Sequence, residues 1–184
     1  LTELLPKLAS LASKEVVDVK LRLRWGRDVQ VVTQRHPLAK VTWDAAREAI
    51  RQADGESAST LYAGMSIPLS ADDMIGLVPI GKNPLTKLWE FYDLRSAWDG
   101  KQQLGEIPIP THEANGSINA TDTTGIVFVL MPGGTVTLGS QATDPEAPNF
   151  VEHPQYDEDL HQVTLSPFFL ARHEVTKGQW ARMT

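Results

Sequence analysis

The stretch Ile126-Val-Phe-Val-Leu-Met-Pro132-Gly-Gly134-Thr135-Val-Thr-Leu138-Gly139-Ser140 decides how the fold is read. Its first six residues are the longest apolar run of the chain, strand-sized and rich in β-branched side chains, which suits a buried strand. Pro132-Gly133-Gly134 marks a turn, because the two glycines admit positive φ. Thr135 to Leu138 reads as a second strand. Val127, Val129 and Leu138 are expected in the core, so these residues serve folding rather than chemistry.

C-terminal to this stretch, Gly139 to Tyr156 is expected to be a loop, interrupted by Pro145, Pro148 and Pro154. His161 to Leu165 alternates as a strand, Ser166-Pro167 breaks it, and Phe168 to His173 resumes. A helix is expected after Val175, with Thr176 as N-cap and Gln179 completing a capping box. The chain opens on Leu1 rather than Met and stops inside that helical pattern, so a piece of a longer protein is expected. Phe168, Phe169 and Trp180 are then expected to pack against strands beyond Thr184. At roughly 25 cal/mol per Å² of apolar surface, three unpartnered aromatics forfeit several kcal/mol, so residues 126–184 alone should be loosely folded.

Toward the N-terminus, residues 99–125 carry Gly100, Gly105, Pro108, Pro110 and Gly116 among many Ser, Thr and Asn. That composition reads as a loop or linker. Ile75 to Ile80 and Leu88 to Leu94 read as strands of a hairpin, turned by Gly81-Lys82-Asn83-Pro84. Trp43 to Gln52 reads as a helix with Thr42 as N-cap and Asp44 in its first turn, ended by Asp54-Gly55. Ser57 to Thr60 is a polar seam. Lys14 to Trp25 alternates, with Val17, Val19, Leu21, Leu23 and Trp25 on one side, and predicts a half-buried strand. Gly26-Arg27-Asp28 reads as a turn and Val29 to Val32 as a further strand. Leu1 to Ser13 has helical spacing.

Composition bounds the function. The hydrophobic fraction of 41% and charged fraction of 22% are those of a folded globular chain, which sets disorder aside. No stretch approaches the roughly 18 apolar residues of a membrane span, and no signal peptide pattern opens the chain. There is no cysteine, so disulfides, thiolate metal sites and cysteine nucleophiles are excluded within these residues. A reducing, cytoplasmic setting is the expectation. Residues 1–60 hold ten Lys/Arg and eight Asp/Glu, whereas 61–184 hold seven and fifteen. Phosphate backbones demand clustered bases, so nucleic acid is not an expected partner.

Several motifs suggest chemistry and fail on inspection. Gly76-Leu-Val-Pro-Ile-Gly81-Lys82-Asn83 falls one residue short of a phosphate-binding loop. Pro79 removes an amide, Asn83 stands where Ser or Thr should hold magnesium, and Pro84 blocks the helix that should follow. Asp72-Asp73 lacks a third ligand, and Ser57 and Ser59 lack a base pattern. His153, Asp157 and His161 are ligand types that suit zinc or iron, but their spacing matches no ligand rule, and solvated loop carboxylates are the simpler account. His173-Glu174 has no second histidine four residues on. Asn115-Gly-Ser and Asn119-Ala-Thr match glycosylation acceptors of a kind common by chance. No nucleophile, base and orienting group stand out as a set.

Residues 126–184 nevertheless resemble the start of the formylglycine-generating-enzyme (sulfatase-modifying-factor) family. That family opens with an apolar strand, then Pro-(Gly/Ala)-Gly-Thr, a strand, and Met or Leu before Gly-Ser, matched here by Ile126 to Ser140. An acidic loop and His-X-Val follow, matched by Asp157-Glu158 and His161-Gln-Val163. Pro-Phe and a strand ending in Glu-Val-Thr come next, as in Pro167-Phe168 and Glu174-Val175-Thr176, and then a helix start matching Gln179-Trp180. Residues 76–98 also resemble a segment that precedes this domain in large bacterial proteins, some of them carrying a kinase domain.

The resemblance implies a mixed α+β, C-type-lectin-like fold and an oxidoreductase that converts a protein cysteine to formylglycine with copper, oxygen and a cysteine pair near the domain's end. No catalytic, cofactor-binding or metal-binding residue of the family falls on these 184 residues. The expected organisation is a small α/β region at 1–98, a linker at 99–125, and the opening of the family domain at 126–184. The alternative is a non-enzymatic binding or scaffold module of a bacterial signalling protein, since one fold serves several functions.

Overall fold

The computed structural model describes residues 4–51, 60–62, 74–153 and 159–184. In chain order these form α1 (Leu4–Gln34), α2 (Trp43–Arg51), a 3-10 turn (Thr60–Tyr62), β1 (Leu77–Lys82), β2 (Trp89–Asp93) and α3 (Leu94–Ala97). A second 3-10 turn (Leu104–Glu106), β3 (Val127–Met131), β4 (Gly134–Leu138), β5 (His161–Leu165), β6 (Phe168–Ala171) and α4 (Lys177–Met183) complete the mixed α+β fold. One antiparallel sheet has the order β1-β2-β3-β6, and β4 and β5 form a separate two-stranded ribbon.

The expected hairpin of β1 and β2 is present, with Val78 opposite Tyr92 and Lys82 opposite Trp89. Its register shifts between Pro79 and Gly81. Gly81 there has φ 131°, a bulge geometry suited to glycine. The would-be phosphate loop is therefore a bulged strand. Asn83 closes the turn, its backbone N–H donating to the Leu88 carbonyl at 2.8 Å.

The main correction concerns residues 14–32, expected as two strands and a turn, which are one continuous helix within α1. The two-residue alternation cannot keep one face together at 100° per residue. Val17, Val19 and Leu23 consequently stand exposed, while Trp25 is half-buried against the core and Val29 is buried in it. A helix satisfies its backbone donors within itself, whereas a strand needs a neighbour. Once nucleated in the Leu-rich start, a helix also propagates cheaply through Leu, Lys and Arg.

Both faces of the four-stranded sheet are covered. One carries Val78, Ile80, Tyr92 and Val127, packed with Val29 of α1 and with Leu104 and Ile107. On the other, Trp89, Phe91 and Leu130 pack with Trp43, Ala46 and Ile50 of α2. The Trp43 and Phe91 rings stack at 5.0 Å between centroids, and Trp43 Nε1 donates to the Leu77 carbonyl at 2.8 Å. Thr42 Oγ1 accepts the Ala45 N–H, as an N-cap does. The Asp54-Gly55 helix stop lies outside the described residues, as do Ser57 and Ser59 of the polar seam.

Residues 99–125 are irregular, as their composition implies, yet Leu104 and Ile107 are buried in the core. The sheet joins strands from both sides of this segment, with Tyr92 opposite Val127 and Glu90 opposite Val129. Phe169 is placed differently from expectation. It meets Phe91 edge-on at 5.3 Å and Phe128 at 6.5 Å, so its partners come from earlier in the chain. Leu138, expected in the core, is exposed, because β4 pairs only with β5 and nothing described covers that pair. Phe168 and Trp180 are also exposed. The Thr176–Gln179 capping box forms as read, with both reciprocal bonds present.

Candidate functional site

The carboxylate of Glu90 is the most concentrated chemistry among the described residues. Strand β2 alternates Trp89 and Phe91 to one face of the sheet and Glu90 and Tyr92 to the other, which sets a charged group at mid-sheet. Its side chain is only 3% exposed. Burying such a charge is costly unless donors surround it, and three other segments of the chain supply them. Arg172, directly after β6, donates from Nη1 to both oxygens at 2.9 and 2.7 Å. Asn83 Nδ2 donates to one oxygen at 2.8 Å. His112 Nε2 lies 3.0 Å from the other. Since the carboxylate can only accept, that nitrogen carries the proton.

The junction extends to the backbone of the 112–118 turn. Arg172 Nη2 and Asn83 Nδ2 both donate to the Gly116 carbonyl, at 2.8 and 2.9 Å. Asn83 Oδ1 accepts the Leu85 and Thr86 amides, so all four hydrogen-bonding positions of this buried amide are used. Gly116 has φ 78°, and a Cβ there would lie 2.6 Å from Asn83 Oδ1. With its lone pairs occupied by arginine, histidine and asparagine, Glu90 is held for cohesion and is not free to accept a substrate proton.

Two clefts flank the turn at residues 121–124. One, of about 500 Å³, is lined by Ile118, Asp122, Ile126, His173, Glu174 and Lys177. The other, of about 490 Å³, is lined by Tyr92, Pro108, Pro110, Asn119 and Arg182. Both have the volume of small-molecule sites. Their shared wall is fastened to α4: Gln179 Nε2 and Arg182 Nη2 donate to the Thr124 carbonyl at 3.1 and 3.2 Å, and Arg182 Nε to that of Ser96 at 2.6 Å. Tyr92 Oη accepts the Gly125 amide at 2.8 Å. Burial pushes its phenol pKa up, partly offset by that bond. The tyrosine is therefore a neutral structural contact at ordinary pH.

The residues singled out from sequence do not assemble into a site. His153 and His161 are both exposed, and His161 Nδ1 donates to the Asp159 carbonyl at 2.9 Å. Asp157, Asp72 and Asp73 lie outside the described residues. Among the described residues no group of three His, Cys, Asp or Glu is placed to hold a metal ion. The residues present do not fit the copper implied by the resemblance, because the chain offers no thiolate. The Glu90 junction was missed, although its one sequence signal is plain: a lone acid inside the aromatic strand Leu88-Trp-Glu-Phe-Tyr92 must meet a cation in space. Asn83 lies seven residues away, but His112 and Arg172 lie 22 and 82 away, beyond any local pattern.

Among known proteins, the chain matches no family model, no curated protein and no solved structure. No helix among the described residues is long and apolar enough to cross a membrane.

Proposed function

We propose that residues 126–184 are the opening framework of a formylglycine-generating-enzyme-type domain, in a sulfatase-modifying-factor-type protein whose complete form oxidises a protein cysteine to formylglycine. The supporting observation is that the resembling blocks depend on one another in space. Strands β3 and β6 pair from Phe128–Ala171 to Met131–Phe168, the β4–β5 ribbon is inserted between them, and the capped α4 follows. A Cβ on Gly133 would collide with the Leu165 carbonyl and lie 2.8 Å from the Pro167 nitrogen. Glycine at 133 therefore fits the close approach of the 165–167 backbone, which is in keeping with this reading. In this reading the present residues supply framework, and the redox cysteines are not among them.

The test is to incubate the complete protein, copper-loaded and in air, with a sulfatase-motif peptide. An aldehyde trapped by a hydrazide probe is the expected result. A folded, copper-loaded protein that leaves the peptide cysteine intact overturns the enzymatic reading. One observation favours the alternative of a binding module: the β4–β5 ribbon exposes Val136, Leu138 and Leu165 together, and exposed apolar surface of this kind marks interaction sites.

A further inference from the structure

A third cleft, of about 310 Å³, opens where α1, α3 and α4 meet, and its side-chain charge is one-sided. Arg22 of α1, Arg95 of α3 and Arg182 of α4 line it, against the single acid Asp99. Trp98, the C-cap of α3, sets α1 against α3. Its ring lies 6.4 Å from that of Trp25 in α1, and the Arg95 guanidinium sits over it at 5.6 Å. Helix α4 is fixed on α3 from the other side. Arg95 Nη2 donates to the Met183 carbonyl at 3.4 Å, and Arg182 Nε to that of Ser96 at 2.6 Å.

These contacts leave most of the converging donors open to a ligand. A guanidinium carries five N–H groups. Arg182 donates to the carbonyls of Ser96, Asp122 and Thr124, and Arg95 makes the one long bond to Met183. None of the three arginines is ion-paired among the described residues. Arg24, Arg47, Arg51 and Arg172, by contrast, pair with Asp28, Asp44, Glu48 and Glu90. The Asp99 carboxylate is engaged with its own loop, its Oδ1 accepting the Lys101 and Gln102 amides at 2.8 and 2.9 Å. Like charges gathered at a concave surface focus a positive potential and concentrate anions there. The whole chain carries a net charge of −6, so this cleft is not one part of a generally basic surface.

We propose that the cleft between α1, α3 and α4 binds a phosphate group, either free or carried by a small molecule. Guanidinium forks pair bidentately with phosphate oxygens. Three arginines against one aspartate give the lining side chains a net of +2, which matches a phosphate dianion better than a single carboxylate. A volume of about 310 Å³ lies at the lower end of small-molecule sites, which suits a phosphate bearing a few carbons. This assignment does not rest on the cysteine-oxidising reading.

The test is to titrate the 184-residue chain with glycerol 3-phosphate, inorganic phosphate and acetate, followed by NMR of the backbone amides and the arginine Nε–H groups. The pH is held at about 8 and the ionic strength at about 0.15 M, so that phosphate is dianionic and general screening is constant. At least one of the phosphates should saturate with a Kd below about 1 mM, with the largest shifts at residues 95–100 and 181–184. Acetate should bind at least about tenfold more weakly. Tighter binding of glycerol 3-phosphate assigns the group to an ester, and tighter binding of inorganic phosphate assigns it to the free ion. Arg22→Gln, at an exposed helical position, and Arg95→Gln should each weaken phosphate at least about fivefold at unchanged circular dichroism. Lys40→Gln, outside the lining, should leave it unchanged; should Arg95→Gln disturb the fold, Arg22→Gln decides. No saturable phosphate binding, acetate as tight as phosphate, shifts away from the cleft, or an equal loss in Lys40→Gln overturns the proposal.

Discussion

Strand β2 and strand β4 are both five residues long, both antiparallel and both built from alternating side chains, yet four of the five residues of β2 are buried and all five of β4 are exposed. Local pattern does not separate them. What differs is what lies across each face. Strand β2 has α2 and Trp43 on one side, α1 and residues 104–107 on the other, and a carboxylate bound by residues from three further segments. Among the described residues, strand β4 has β5 and one bond from Asn149, whose Nδ2 donates to the Thr137 carbonyl at 2.9 Å. A two-stranded ribbon is marginal by itself, so the two regions should respond very differently to damage.

The largest effect is expected at Arg172. Replacing it with Met keeps an unbranched apolar stem but removes the guanidinium, and leaves the Glu90 carboxylate buried with only Asn83 and His112. Removing one partner of a buried ion pair costs roughly 3–5 kcal/mol, because the other charge is stranded. Urea unfolding should show that loss. A double variant, Glu90→Gln with Arg172→Met, should recover part of it, since the stranded charge is then gone. A single Arg172→Met variant as stable as wild type would mean that Glu90 contributes no buried charge.

Gly116→Ala should come next. The residue sits at φ 78°, and its new methyl would press on Asn83, the residue that links the turn to Glu90. Strain of this kind costs on the order of 1–3 kcal/mol. If the Glu90 junction is the cohesive unit of the sheet, Gly116→Ala and Asn83→Ala should be strongly non-additive, which a double-mutant cycle would reveal. Additive losses would show the turn and the carboxylate to be independent.

How much of this was legible follows from the range of each interaction. Strand β3, the ribbon strands, β6 and the capped α4 were readable because turn residues, alternation and a capping box act over a few positions. Helix α1 was misread because Val17 to Trp25 carries a strand pattern, and only the absence of a neighbouring strand makes the helix the better solution. The same cause explains Leu138: its alternation is correct for a half-buried strand, but burial needs a second layer that the sequence does not announce. Glu90 could have been flagged as an anomaly in an aromatic strand. Naming His112 and Arg172 as its partners requires the sheet order, which no local signal encodes.

A pH scan probes the packed region at another point. His36 is buried, its Nε2 donating to the Leu104 carbonyl at 3.0 Å and its Nδ1 accepting the Leu38 amide at 3.2 Å, so both nitrogens are committed to the neutral ring. Burial lowers its pKa below the ordinary value of 6.5, and the Leu104 bond opposes this only in part. A lowered folded-state pKa means that the unfolded chain binds the proton first. This contribution is complete above the unfolded pKa of about 6.5 and is lost as pH falls through the lower folded value. The melting temperature should therefore drop on mild acidification, and His36→Gln should flatten that slope. An unchanged slope in the variant would place the acid sensitivity elsewhere.

The smallest effect comes from the matched substitution that isolates the contrast. Val78→Thr and Val136→Thr make the same change of a methyl to a hydroxyl, on strands of the same kind. Val78 is 0% exposed and Val136 is 42% exposed. Burying the unpartnered hydroxyl at residue 78 should cost roughly 1–3 kcal/mol. At residue 136 the hydroxyl meets water, and the stability of the dilute, monomeric chain should move by less than about 0.5 kcal/mol. Amide exchange should follow the same division, with ribbon amides opening far below the global unfolding energy and the β2–β3 amides close to it. Ribbon amides as protected as those of β2, in the dilute monomer, would mean that the ribbon is covered from within the chain. The distinction between the two regions would then be wrong.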